Sequence, residues 1–110
     1  WRQYEETFPL LARSAIGQVS LECQNSRVPI DLIALLGGKD VLVGAIDVAS
    51  ERIETAEEVA ATLTAAARFV APQRIQACTN CGMAPMNREI ALRKLNALVQ
   101  GAAIARTRHG

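Results

Sequence analysis

An α/β fold built on a parallel sheet is what this sequence predicts, on three observations. Amphipathic, helix-like segments alternate with short apolar runs along the chain. One of those runs, Asp40–Ile46 (DVLVGAI), is nearly unbroken in apolar side chains, as a strand covered on both faces must be. The carboxylates and thiols that could do chemistry, Glu22, Cys23, Asp47, Cys78 and Cys81, cluster where the predicted strands end. Ligands bind at that end of a parallel sheet.

The elements follow in order. Tyr4, Phe8, Leu11, Ala12 and Ala15 form a helical stripe over residues 2–15, in which Pro9 either kinks the helix or marks its true beginning. Gly17 stops it, and residues 18–22 (QVSLE) read as the first strand. A polar turn over 23–28 leads to Pro29, placed as the first residue of a short helix that ends at Leu36 before Gly37 and Gly38. The second strand covers 41–46, and a loop occupies 47–54. Thr55 and Glu58 then form a capping box, opening a helix to about Val70 with Val59, Leu63, Ala66, Ala67 and Val70 inward. Pro72 ends that helix, residues 74–78 make the third strand, and 86–107 the last helix. Helix and strand in this alternation imply parallel strands with right-handed crossovers. Three strands alone make a poor barrel, so in a barrel the missing strands must come from elsewhere.

Composition narrows the function classes. The chain has 110 residues, 50% of them hydrophobic and 21% charged, which suits one globular domain or a piece of one. Twelve basic side chains against eleven acidic ones leave +1, so there is no electrostatic case for nucleic acid or for an acidic membrane surface. No apolar run approaches the ~20 residues of a membrane span. The opening WRQYEE lacks a signal-peptide core, and a chain beginning at Trp1 reads as a fragment or a processed product. Three cysteines without an export signal point to a reducing, cytoplasmic setting and fit a disulfide framework badly.

Cys78-Thr79-Asn80-Cys81-Gly82 is a CxxC, which can be half a metal site, a redox pair or two half-buried thiols at a strand end. A redox pair normally sits at a helix start, whose dipole lowers the thiol pKa, whereas Gly82 and Pro85 keep this segment in a loop. Glu22, at a strand end, is either salt-bridged to Arg27 or Arg88, or a metal ligand or general base. Glu22 and Cys81 end different strands and could converge on one ion, zinc being tolerant of mixed ligands. Two donors are not a site, and the only histidine, His109, lies in the tail. Asp47 serves either to start its loop by bonding its own backbone or to bind substrate. Cys23 reads as filler, Arg52 and Glu54 as surface residues, and Met83 and Met86 as packing.

Three segments stand in the order and spacing of one family: Ser20-Leu21-Glu22; Val43-Gly44-Ala45-Ile46-Asp47-Val48-Ala49-Ser50 with Ile53-Glu54-Thr55; and Cys78-Thr79-Asn80-Cys81-Gly82-Met83. Together they resemble the carboxy-terminal end of the cobalamin-independent methionine synthase catalytic domain, in particular its short core relatives, over residues 5–106. The resemblance implies about the last three βα units of a (β/α)8 TIM barrel, so that 1–110 is a single partial domain. It also implies zinc at the barrel mouth, held by a His-x-Cys pair, a Glu matched here by Glu22 and a Cys matched by Cys81. In that family zinc lowers the pKa of the homocysteine thiol, whose thiolate takes a methyl group from a donor, which in the long enzymes is a methylated folate and gives methionine.

Two departures qualify what is carried over. The His-x-Cys pair is absent, so this chain holds half the ligands and is expected to be inactive alone. The long enzymes also place a proton-donating His two residues after the Asp matched by Asp47, and that position is Ala49 here. A folate amine leaves poorly unless protonated, so a folate donor is in question or its proton comes from elsewhere. The resemblance to the core relatives implies another donor, such as a corrinoid, as the alternative. Asp47 is expected near the substrate or the donor. Another thiol acceptor such as coenzyme M, a non-catalytic metal-binding or assembly module, and a redox protein are the competing readings. An unpartnered fragment is expected to self-associate through apolar edges at Leu21 and 41–46 unless its upstream half is present.

Overall fold

The computed structural model describes residues 4–24, 30–36, 39–84 and 86–109, with side chains at all of these except 4–7, 31–32 and 109. Pro29, Gly37, Gly38 and Arg27 therefore lie outside the described residues. The elements are α1 (Tyr4–Arg13), β1 (Gln18–Glu22), a 3-10 helix (Ile30–Leu36), β2 (Asp40–Ile46), α2 (Ala56–Ala66), a 3-10 turn (Pro72–Arg74), β3 (Ile75–Thr79) and α3 (Arg88–His109). The strands form one parallel sheet in the order β1-β2-β3. The molecule measures 40 × 32 × 21 Å, a slab rather than a sphere.

β2 is central because its sequence suits being enclosed. Val41, Val43, Ala45 and Ile46 are buried, with Leu42 half-buried. The strand is thus no apolar edge, contrary to the expectation above, since β1 and β3 pair with it on either side. β1 alternates strictly, with Gln18, Ser20 and Glu22 exposed and Val19 and Leu21 packed against the core. Between β2 and β3 the register steps from Gly44↔Cys78 to Ile46↔Thr79, so Ala45 is the extra residue of a bulge.

Pro9 lies inside α1 rather than at its start, and Phe8 beside it is buried in the core. The helix ends earlier than Gly17. Ser14 closes it by donating Oγ–H to the Leu11 carbonyl at 2.7 Å, and buried Lys39 donates to the Ser14 carbonyl at 2.6 Å. The second predicted helix is a 3-10 helix, with Ile33 and Leu36 buried.

α2 opens on the expected capping box. The Glu58 amide donates to Thr55 Oγ1 at 3.1 Å, and the Thr55 amide donates to Glu58 Oε1 at 3.1 Å. Hydrogen bonds from the Arg52 guanidinium and the Thr55 backbone draw the Glu58 carboxyl down to about 2. Helical structure ends at Ala66, short of Val70, leaving Ala67 and Val70 half-buried while Ala60 joins the core.

α3 begins at Arg88 and packs a stripe of Lys94, Ala97, Gly101 and Ala105 inward at helical spacing. Small residues there let α3 approach α2 closely. A methyl group on Gly101 would collide with the Cβ and Cγ1 of Val59 and lie 2.8 Å from the Ala56 carbonyl. The Gly101→Ala change should gain about 1 kcal/mol of helix propensity yet lose about 1–3 kcal/mol to overpacking. The backbone carbonyl cannot swing aside, so the loss should win. Urea denaturation of the protein should report a lower midpoint for Gly101→Ala, and an unchanged or raised midpoint would show that the helices can separate freely.

Candidate functional site

Three loops meet beyond the carboxyl ends of the strands: 22–24, 47–54 and 79–82. Gly44 is the point where the first and third cross. Its carbonyl accepts two amide hydrogen bonds from the loop after β1, from Cys23 at 3.0 Å and Gln24 at 2.9 Å. Its missing side chain makes room for Asn80, since a Cβ there would lie 2.5 Å from Asn80 Oδ1 and 2.8 Å from the Leu21 carbonyl. Asn80 uses that room to join the loops. Its Nδ2 donates to the Gln24 carbonyl at 2.8 Å and its amide to the Ile46 carbonyl at 2.8 Å, while Oδ1 is buried without a partner. Gln24 in turn accepts from Thr62 of α2 at 3.2 Å.

Glu22 is the last residue of β1 and is exposed, with no ion pair to Arg88 or to any other described residue. Cys81 follows β3 and is also exposed, its carbonyl accepting from Thr79 Oγ1 at 2.7 Å. The strands that carry them flank β2, with Glu22, Gly44 and Cys78 level across the sheet. Both residues lie at the carboxyl-end side of the sheet. A carboxylate and a thiol suit zinc, but they are two donors of the usual four. Among the described residues no group of three or more His, Cys, Asp or Glu could hold a metal ion.

The other cysteines behave differently. Burial pushes the Cys23 thiol up to about 11, with the neighbouring Cys78 adding to the rise and a backbone hydrogen bond at Gly44 opposing it. Cys78 is half-buried, and burial raises its thiol also, against a hydrogen bond from Ser20. A redox pair needs a lowered pKa, and α3 starts only at Arg88, well after Cys81. The redox reading therefore loses its physical basis, and Cys23 is the filler it was expected to be, packed against the core.

The loop after β2 holds the largest departure from expectation. Arg52 is exposed, pairing with Glu58 at 2.6 Å, but Glu54 is buried rather than on the surface. Its partner is Lys94 of α3, at 3.0 Å, with side-chain exposures of 0% for Lys94 and 2% for Glu54. Lys94 also donates to the carbonyls of Asp47 at 2.9 Å and Arg52 at 2.6 Å. The other Glu54 oxygen accepts the Asp47 amide at 2.9 Å, and Asp47 Oδ1 accepts the Ala49 amide at 2.9 Å. Lys94 was missed in the sequence: its register with Ala97, Gly101 and Ala105 puts it on the inward stripe of α3, but a lysine is rarely buried unless paired, and its partner Glu54 lies 40 residues away.

A family model described as the cobalamin-independent synthase catalytic domain matches residues 6–104. The chain belongs to the cobalamin-independent synthase family. A methionine synthase of Sulfurisphaera tokodaii is 32% identical over 104 residues, covering 94% of this chain and 31% of that protein. One from Saccharolobus islandicus is 29% identical over 106 residues, with 94% and 32% covered. A B12-independent methionine synthase from Shewanella sp. W3-18-1, solved in complex with selenomethionine, matches with a TM-score of 0.94 at 56% identity. That match covers 98% of this chain and 32% of the solved one. The chain thus spans about a third of the length of these family members, and its three parallel strands are part of a TIM barrel. Among the described residues no helix is long and apolar enough to cross a membrane.

The thiols offer a direct check on these surroundings. A rise from 9.0 to about 11 cuts the thiolate fraction of Cys23 at pH 8 about a hundredfold, one decade per unit. With iodoacetamide at pH 8, peptide mass spectrometry should find exposed Cys81 alkylated well before Cys23. Equal rates would mean that the loop after β1 is not packed as described.

Proposed function

We propose that this chain is about the last three βα units of a zinc-dependent methyltransferase that moves a methyl group to the thiol of homocysteine, giving methionine. The observation that carries this reading is the common position of Glu22 and Cys81. The two residues that resemble the family's metal ligands end β1 and follow β3 at one mouth, and Asn80 ties their loops together over Gly44. Glu22 and Cys81 would be two of the zinc ligands, with a His-x-Cys pair from the upstream part of the barrel completing four. Zinc held there supplies the Lewis acidity that lowers a thiol's pKa into the neutral range.

The chain's own groups do the rest. The two exposed donors leave the mouth open to a thiol, and Asp47 follows the strand between theirs in a turn fixed at its amide, carbonyl and carboxylate. It would contact the substrate or the donor. Ala49 brings no acid to the place where a folate amine would need one, so a corrinoid stands beside methylated folate as the donor.

The reading also explains surfaces that nothing among the described residues covers. Leu92, Leu95 and Val99 form an apolar stripe on α3, at 52%, 40% and 67% exposure. A cleft of about 490 Å³ runs beside β3, between Ile75, Gln76 and Ala77 and the α3 residues Ala102, Ala105 and Arg106. The upstream part of the barrel would cover both, so the 110-residue chain alone is expected to self-associate and to be inactive. Three free cysteines suit a reducing, cytoplasmic setting.

The test uses the full-length protein. Metal analysis should find zinc near one equivalent, and homocysteine should release a proton on binding. Cys81→Ser and Glu22→Gln should each lose most of the zinc and cut activity by more than the ~10–100-fold that loss of a supporting residue costs. Cys23→Ser should change neither. Retention of zinc and activity in Cys81→Ser would defeat the ligand assignment.

A further inference from the structure

We propose that Lys94 is a positioning residue for this reaction, holding the Asp47 turn in the one conformation that presents its carboxylate at the mouth of the sheet. The inference rests on the functional reading above, and extends it to a residue that touches neither metal nor substrate.

A fully buried ammonium is costly, and is kept only where its donors are met. Lys94 has three, and all three go to the loop over 47–54: the Asp47 carbonyl, the Arg52 carbonyl and Glu54 Oε1. None goes to a helix or to a strand residue. Packing α3 against α2 would be served as well by an apolar side chain, as Ala97 and Ala105 serve it in the same stripe. What the ammonium adds is reach into a segment that has no strand ladder of its own.

Asp47 is the residue most constrained by it. Lys94 holds its carbonyl at 2.9 Å, and Glu54, itself held by Lys94, takes its amide at 2.9 Å. With the peptide groups on both sides fixed, the Cα–Cβ direction of Asp47 is fixed too. The ladder ends at Ile46, whose carbonyl accepts the Asn80 amide at 2.8 Å, so pairing helps to fix the peptide before Asp47 while Lys94 holds the carbonyl after it. Displacement of a contacting group by about 1 Å is enough to cost about a hundredfold in rate.

The experiment uses the full-length protein. Lys94→Met alone strands Glu54 in the core and is expected to unfold in part, so the informative variant is the pair Lys94→Met with Glu54→Gln. It removes both charges and keeps an acceptor for the Asp47 amide. Two readouts are taken on folded protein: amide hydrogen exchange over 47–52, and steady-state kinetics per folded enzyme.

Exchange should accelerate at least about tenfold over 47–52 while the amides of α2 and α3 stay protected. The value of kcat/KM should fall at least about tenfold, and Asp47→Asn should cost much less in this background than in the parent. Unchanged exchange over 47–52, or kcat/KM within about twofold of the parent, would overturn the proposal. So would Asp47→Asn effects that simply multiply with those of the pair, because a merely structural lysine predicts that result. A parent protein that fails to methylate homocysteine overturns the functional reading instead, and the exchange arm, which needs no turnover, still decides whether Lys94 pins the turn.

Discussion

The arrangement depends on one close approach, at Gly44. A parallel sheet presents its functional loops only at strand ends, where ladder hydrogen bonds have run out and the backbone must find other partners. Gly44 supplies them to the loop after β1 through its carbonyl, and admits the loop after β3 through its absent side chain. Asn80 then bonds across the gap to the Gln24 carbonyl. Any larger residue at position 44 would push the two loops apart, and with them Glu22 and Cys81.

The third loop is held by a different kind of force. Hydrogen bonds between neutral groups bind the loops around Gly44, whereas the loop over 47–54 closes on a desolvated ion pair between Glu54 and Lys94. Removing one member of such a pair is far more damaging than removing both, because the remaining charge has no partner in a low-dielectric interior. The exposed pairs of Arg52 with Glu58, Arg93 with Glu89 and Arg108 with Glu57 carry no such penalty, since water replaces either partner. Among the described residues, the one buried pair therefore matters more than the three exposed ones.

What was legible in the sequence is what periodicity and local chemistry encode. The parallel sheet, the strand limits to within a residue, and the Thr55–Glu58 capping box all depend on neighbours close in the chain, and all were readable. The family resemblance was readable as well, because its motifs are short and contiguous. The family model and the solved relative bear it out. Pro9 was harder: a proline at mid-helix removes one hydrogen bond, and burial of Phe8 beside it is a tertiary gain that local rules do not contain. Glu54 was misread for the same reason. Its environment is set by a lysine 40 residues further along, and no pattern around position 54 announces it. The positions of Glu22 and Cys81 at one mouth followed from strand order, while the Asn80 link between their loops required coordinates.

The separation of 40 residues between Glu54 and Lys94 has a consequence for how the molecule is made. Synthesis runs from the amino end, so β1, β2 and α2 are complete while α3 is still being added. Until α3 docks, Glu54 lacks the Lys94 ammonium, and the loop after β2 lacks the hydrogen bonds that Lys94 gives to the Asp47 and Arg52 carbonyls. The loop after β2 is therefore locked onto α3 only after the sheet that carries it is made. An immature chain holds its site open, and only the finished helix locks it.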